Sequence, residues 1–249
     1  MSATNAKIYW SADVTDRELW EVLRGRDFPQ KKDNIGIKLD RAFLTKYGLG
    51  IITEVQKLGL GVFADAKITE IPSKCLEIAR LHLEHRPEML NIMADSCSTG
   101  LVASEDENHM DALYRFARLC AEYGVRSCAV SVFTSKPREM VERQYGKSFE
   151  TVVMWYAKLI KECGLTDVVC SPKEIYIYRK VLGDGVRIVT PGVRLPGSGM
   201  RDQKRVMTPF EAVQNGADAL VIGSDLTKGG PGQFFNNYIN VMSNIYPNG

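Results

Sequence analysis

Short apolar segments of strand-like composition alternate eight times with longer helix-like ones, and this alternation constrains the fold more than any other feature. The strand candidates are Lys7 to Ala12, Ile35 to Leu39, the run opening at Val62, Met89 to Ala94, Arg126 to Phe133, Asp167 to Cys170, Val186 to Val189 and Ala219 to Ile222. Thr15-Asp16-Arg17-Glu18 reads as a helix start with an acidic first turn, and Ser171-Pro172 as another, with a capping serine before a first-turn proline. Ala42 to Leu58, Pro72 to His85, Glu105 to Glu122 and Phe149 to Cys163 read as helices. Strands joined through helices pair in parallel, and no linker or change of composition interrupts the series. The pattern predicts an α/β protein with a single (β/α)8 TIM barrel as one domain over residues 1–249, the usual size for that fold.

Such a barrel assembles its active site from the carboxyl ends of the strands. The informative stretch is Val62-Phe63-Ala64-Asp65-Ala66-Lys67-Ile68-Thr69-Glu70-Ile71-Pro72. Side chains two apart on a strand share a face, so Phe63, Asp65 and Lys67 point one way and Val62, Ala64 and Ala66 the other. Glu70 follows within a turn, giving an acid, base, acid series at the end of a strand of core composition. Desolvating those charges is costly, so they pair, bind something charged, or do both. An ion pair closing off a sheet is one reading and a reactive site the other. Asp13 and Lys38 end the first two strands and Ser135 follows the fifth, which places all five residues on one rim. Taken singly, Asp13 also fits a helix cap and Lys38 a solvated strand end.

The connection after the seventh candidate strand, residues 190–203, is long and rich in glycine and proline. Gly192, Gly197 and Gly199 offer exposed backbone N–H groups and hinge freedom, and Gly223 and Ser224 lead from the eighth strand into the last helix. These two loops form the usual phosphate site of the barrel, against the alternative of a flexible surface loop with no ligand.

Composition excludes several function classes. Thirty-two basic residues balance 30 acidic ones for a net charge of +2, without a basic block, so no nucleic-acid partner is expected. Six cysteines lack CxxC or His-paired spacing and read as reduced, buried thiols. The three histidines fall in polar, helix-like segments, which argues against a zinc site or a His-based triad. Met1 to Lys7 is polar and no apolar run approaches the ~20 residues of a membrane span, so the expected location is cytoplasmic, with no membrane partner.

Several segments together resemble the orotidine 5′-phosphate decarboxylase family over nearly the whole chain. Asp65-Ala66-Lys67-Ile68-Thr69-Glu70-Ile71-Pro72 resembles its D-x-K-x-x-D-I-P motif, and Asp167-Val168-Val169-Cys170-Ser171-Pro172 is similar to its sixth-strand segment. Thr190-Pro191-Gly192-Val193-Arg194 with Asp202-Gln203-Lys204-Arg205-Val206-Met207-Thr208-Pro209 resembles its phosphate-loop signature, and Gly216 to Gly223 its eighth strand. The resemblance implies a homodimeric barrel that takes a nucleotide substrate and uses no metal or organic cofactor. It makes Lys38, Asp65, Lys67 and Glu70 catalytic, with Lys67 the proton donor to C6 and Glu70 reaching the partner subunit's site. It assigns Asp13 to the ribose, Ser135 to the pyrimidine edge, and Pro191, Gln203, Gly223 and Ser224 to substrate binding around the phosphate.

Three positions depart from the family pattern. Glu70 stands where the family has Asp, Lys74 where it usually has Thr, and Ser224 where it has an Arg that binds phosphate. Arg201, Lys204 or Lys228 would then have to supply the missing cation. The departures leave two alternatives: a divergent member acting on another sugar or nucleoside phosphate, or a non-catalytic nucleotide-binding relative. Lys38 stands where related magnesium-dependent enzymes place an acid, which argues against a metal, and retention of the whole charge array argues against a simple binding module.

Overall fold

The computed structural model describes residues 6–25, 28–29, 34–95, 107–196 and 207–247, without the side chains of 107–111. Eight parallel strands close into one barrel in sequence order, with β1 beside β8. They are β1 Lys7–Ser11, β2 Ile35–Asp40, β3 Gly61–Ile68, β4 Met89–Met93, β5 Arg126–Val130, β6 Asp167–Val169, β7 Arg187–Thr190 and β8 Ala219–Ile222. The layer outside them holds α1 Asp16–Leu23, α2 Arg41–Tyr47, α3 Gly50–Gln56, α4 Pro72–Leu83, α5 Glu107–Glu122 and α6 Arg138–Tyr145. It continues with α7 Phe149–Glu162, α8 Ile175–Leu182, α9 Pro209–Gln214, α10 Ser224–Thr227 and α11 Phe234–Ile245. This is the predicted (β/α)8 barrel.

Two apolar layers follow from strand alternation. Tyr9, Phe63, Met93, Cys128, Val130 and Val189 belong to a buried cluster inside the barrel, whereas Ile8, Trp10, Ile37, Val62, Ala64 and Leu90 pack in the layer shared with the helices. The Tyr9 and Phe63 rings meet edge to face at 5.6 Å. Gly36 lies against them on β2. A Cβ there would stand 2.9 Å from both the Gly61 carbonyl oxygen and the Tyr9 ring, so any larger residue would force the inner layer to shift. Near the amino-terminal ends of the strands, Glu88 accepts hydrogen bonds from Tyr9 at 2.8 Å and Lys7 at 2.6 Å, and Arg126 donates to Asp167 at 2.8 Å. The rim expected to hold Asp13, Lys38, Asp65 and Lys67 lies at the opposite end. On the outside, α11 is anchored to the first strand through Trp10 and Phe234, 4.8 Å apart at their ring centres.

The helix expected over Ala42 to Leu58 is two helices, because Gly48 takes a positive φ of 76° and ends α2. The polar stretch after the fifth strand contains α6, which ends on Gly146 in the left-handed region. β5 stops at Val130, three residues short of the expected end, and β3 runs on through Ile68. The turn after β8 enters only the single turn α10, with α11 a separate helix. The five described cysteines are all free and buried; Cys97 lies outside the described residues. No described helix is long and apolar enough to cross a membrane.

Candidate active site

A cavity of about 590 Å³ opens at the carboxyl ends of the strands. The strand pattern brings its residues together from around the barrel. Ser11 and Asp13 come from the end of β1, Lys38 from β2, Asp65 and Lys67 from β3, and Thr134 and Ser135 from the connection after β5. Pro191, Gly192 and Arg194 follow β7, and Gly223 and Ser224 follow β8. Phe63 and Val130, members of the inner core, supply apolar wall.

Asp65 and Lys67 of the charged series on β3 are ion-paired with each other and also line the cavity. Lys38 Nζ lies 3.0 Å from Asp65 Oδ2 and Lys67 Nζ 2.6 Å from Asp65 Oδ1. The side chains of Lys38 and Asp65 are only 11% and 8% exposed, so these charges act with little solvent screening, whereas Lys67 is 34% exposed and faces the opening. Burial pushes the Asp65 carboxyl up, but Lys38 and Lys67 reverse this and bring it down to about 2. Burial likewise disfavours the charged form of Lys38, and Asp65, Asp13 and Asp40 overcome it to hold the ammonium above its ordinary pKa. At neutral pH, then, Asp65 is a carboxylate and Lys38 an ammonium. Lys38 is no solvated strand end.

Asp13 is not a helix cap either. Thr15 caps α1 in a reciprocal box with Glu18, which leaves Asp13 to accept a hydrogen bond from Ser11 Oγ at 2.9 Å inside the cavity. A Cβ on Gly223 would stand 3.5 Å from Asp13 Oδ2, so the turn after β8 runs directly beside that carboxylate.

The base of the loop after β7 is pinned. Arg194 N–H donates to the Met207 carbonyl at 3.0 Å, Val193 bridges Met207, and Leu195 N–H donates to the buried Asp225 at 2.9 Å. Gln203, Arg201 and Lys204 lie outside the described residues. Lys228 is exposed and is absent from the described lining. Ser224 does line the cavity, at the start of a helix of four residues whose dipole is correspondingly small.

Arg194 is a cation of the cavity lining that sequence reasoning did not single out, although Thr190-Pro191-Gly192-Val193-Arg194 contains it. Its Nη1 donates to its own chain at Val193, and its buried Nε has no hydrogen-bond partner among the described residues. Ser11 was missed as well; its signal is strand parity, two positions after the inward-facing Tyr9. Glu70 is exposed and absent from the described lining of its own chain's cavity. Lys74 is also exposed and pairs along α4 with Glu77 at 2.5 Å. Among the described residues no group of three or more His, Cys, Asp or Glu side chains is placed to hold a metal ion.

Comparisons with known proteins bear on the family and the fold. The model of the "Orotidine 5′-phosphate decarboxylase / HUMPS family" matches residues 10–233. A protein from Moorella thermoacetica named orotidine 5′-phosphate decarboxylase is 36% identical over 225 residues, which cover 89% of this chain and 85% of that protein. One of the same name from Bacillus cereus is 32% identical over 218 residues, covering 81% of this chain and 88% of its own. The crystal structure of orotidine 5′-phosphate decarboxylase from Lactobacillus acidophilus superposes with a TM-score of 0.75 at 20% identity, over 97% of this chain and 99% of the other. At that identity it supports the fold alone.

Proposed function

The chain belongs to the orotidine 5′-phosphate decarboxylase / HUMPS family, and we propose that it converts orotidine 5′-phosphate to UMP and CO2 as a metal-free carboxy-lyase. The observation that carries this reading is the Lys38, Asp65, Lys67 array, with contacts of 3.0 and 2.6 Å inside the cavity.

Decarboxylation breaks the bond between C6 and its carboxylate and leaves the electron pair on a carbon the ring barely stabilises. Fixed ammonium groups in a partly dry site favour that charge distribution over the substrate's. Lys67, the more open of the two lysines, gives its proton to C6 as CO2 departs and is left neutral. Asp65 holds both ammonium groups in place and stands as a fixed anion against the departing carboxylate. No metal is required, because Lys38 puts a positive charge where an acid would have to stand to share a cation with Asp65.

The remaining subsites follow from barrel order. β1 lies between β8 and β2, so Asp13 stands between the loops after β7 and β8 and the charge array. This order supports a reading in which the ribose sits at Asp13 and the phosphate toward Gly192, Arg194, Gly223 and Ser224. Arg194 supplies the cation that Ser224 does not, with Pro191 on the same side of the cavity, and the family resemblance assigns Gln203 to the same subsite. Ser135, across the barrel, takes the pyrimidine edge. Glu70 is exposed in its own chain, which supports a role in the site of a partner subunit in a homodimer. The buried free cysteines support a reducing compartment, the cytoplasm.

The test is loss of orotidine 5′-phosphate absorbance with purified protein in excess EDTA, alongside Lys67→Ala. Turnover that persists in EDTA and vanishes in the variant is expected. A folded protein inert at millimolar substrate would end this reading in favour of another phosphorylated ligand.

A further inference from the structure

Lys67 has a φ of 45°, in the left-handed region, although it is neither glycine nor a residue that tolerates this region well. The cause lies in the pairing of β3. Its register with β4 runs Phe63 to Met89 and Ala64 to Leu90, then resumes at Ile68 to Ile92, so four steps on β3 oppose two on β4. The residues in between cannot all bond to the neighbouring ladder, and side chains take over. Lys67 N–H donates to Asn91 Oδ1 at 2.7 Å. The Ala66 carbonyl accepts from Arg41 Nε at 2.7 Å, and the Lys67 carbonyl from the same guanidinium.

Asn91 also donates through Nδ2 to Asp65 Oδ1 at 2.6 Å, the same oxygen that accepts Lys67 Nζ. Its amide orientation is fixed by those partners, since a backbone N–H can only donate and an ionised carboxylate can only accept. Asn91 is fully buried, the single polar residue of β4.

We infer that Asn91 and Arg41 are positioning residues that clamp the left-handed turn at Lys67 from the β4 and β2 sides of the strand, setting the ammonium group against Asp65. A regular strand would carry the backbone evenly along the ladder; the clamp holds a bulge at the cavity mouth before pairing resumes at Ile68. The functional part of this inference rests on Lys67 being the proton donor, whereas the geometric part does not.

Two measurements decide it. In crystal structures of Asn91→Ala and of the Asn91→Ala/Arg41→Ala pair, Lys67 should leave the positive φ region and separate from Asp65. Retention of both features would overturn the clamp whatever reaction the protein catalyses. In steady-state kinetics, Asn91→Ala should lower kcat by about a hundredfold, the cost of a misplacement near 1 Å, with KM changed by less than about threefold. Arg41→Ala should lower kcat by about tenfold, and Arg41→Lys, which keeps one donor of the fork, should recover part of it. Unchanged kcat in both Asn91→Ala and Arg41→Ala, or a rise in KM alone, would overturn the positioning role. If Asn91→Ala does not fold, the structure and kinetics of Arg41→Ala carry the same decision. Wild-type protein inert toward orotidine 5′-phosphate would defeat the proposed reaction but leave the crystallographic outcome to decide the clamp.

Discussion

Lys38 Nζ sits 3.0 Å from Asp65 Oδ2 with both side chains almost wholly buried, so each charge depends mainly on protein partners. Removing Asp65 takes the ion-pair partner from a desolvated Lys38, which costs about 3–5 kcal/mol. Asp65→Ala would also press two ammonium groups together without a counter-ion. The expected outcome is a large fall in melting temperature together with loss of turnover, measured by calorimetry and by the absorbance assay. A variant as stable as the wild type would refute the energetic role given to the pair.

The same pair sets a pH window. The Asp65 carboxyl, at about 2 in the folded chain, lies below its ordinary value of 3.8, so its contribution is present above pH 4 and lost as pH falls toward 2. That contribution is about 2 kcal/mol. Lys38 is raised by its acidic neighbours, so its contribution is present below its unfolded pKa and disappears only as pH climbs through the higher folded value. Urea denaturation midpoints at pH 7, 4 and 2.5 should fall on the acid side, and Asp65→Asn should flatten that fall.

Arg194 is expected to hold the substrate phosphate. A charge-assisted hydrogen bond is worth about 1.5–3 kcal/mol, so Arg194→Ala should raise KM by roughly 10- to 150-fold. Ser224→Arg, restoring a cation on the neighbouring loop, should recover much of the loss in the Arg194→Ala background. An Arg194→Ala protein with normal KM would move the phosphate to the residues after position 196.

Shared sites in a homodimer make a distinctive prediction. Lys67→Ala and Glu70→Ala proteins should each be impaired when pure. If Glu70 serves the partner's site, a mixed dimer has one site carrying both defects and one carrying neither. Unfolding and refolding an equimolar mixture should then restore about a quarter of wild-type sites. Mixing without recovery, in protein shown to be dimeric, would return Glu70 to its own chain.

Gly36 tests the inner layer. A methyl group there meets a backbone carbonyl and the Tyr9 ring, neither of which moves freely, so Gly36→Ala should cost about 1–3 kcal/mol. The melting temperature reads it directly, and an unchanged value would mean that the barrel relaxes around this layer.

Much of this was legible along the chain because it depends on local period. Alternation of apolar segments specifies eight strands, parity places Asp65 and Lys67 on one face, and strand order puts Asp13, Lys38 and Ser135 on one rim. Capping residues such as Thr15 mark helix starts for the same reason, since their partners lie within one turn. What tertiary structure alone decided depends on which strand lies beside which, and in what register. The slip between β3 and β4 forces Lys67 into a left-handed turn and turns Asn91, a lone polar residue in a core strand, into the bridge between Asp65 and Lys67. Arg41 reaches that turn only because β2 flanks β3, and Arg194 faces the cavity only because Met207 and Asp225 pin its loop. Closure of β1 on β8 brings Gly223 beside Asp13, a contact between residues 210 positions apart that no local pattern encodes.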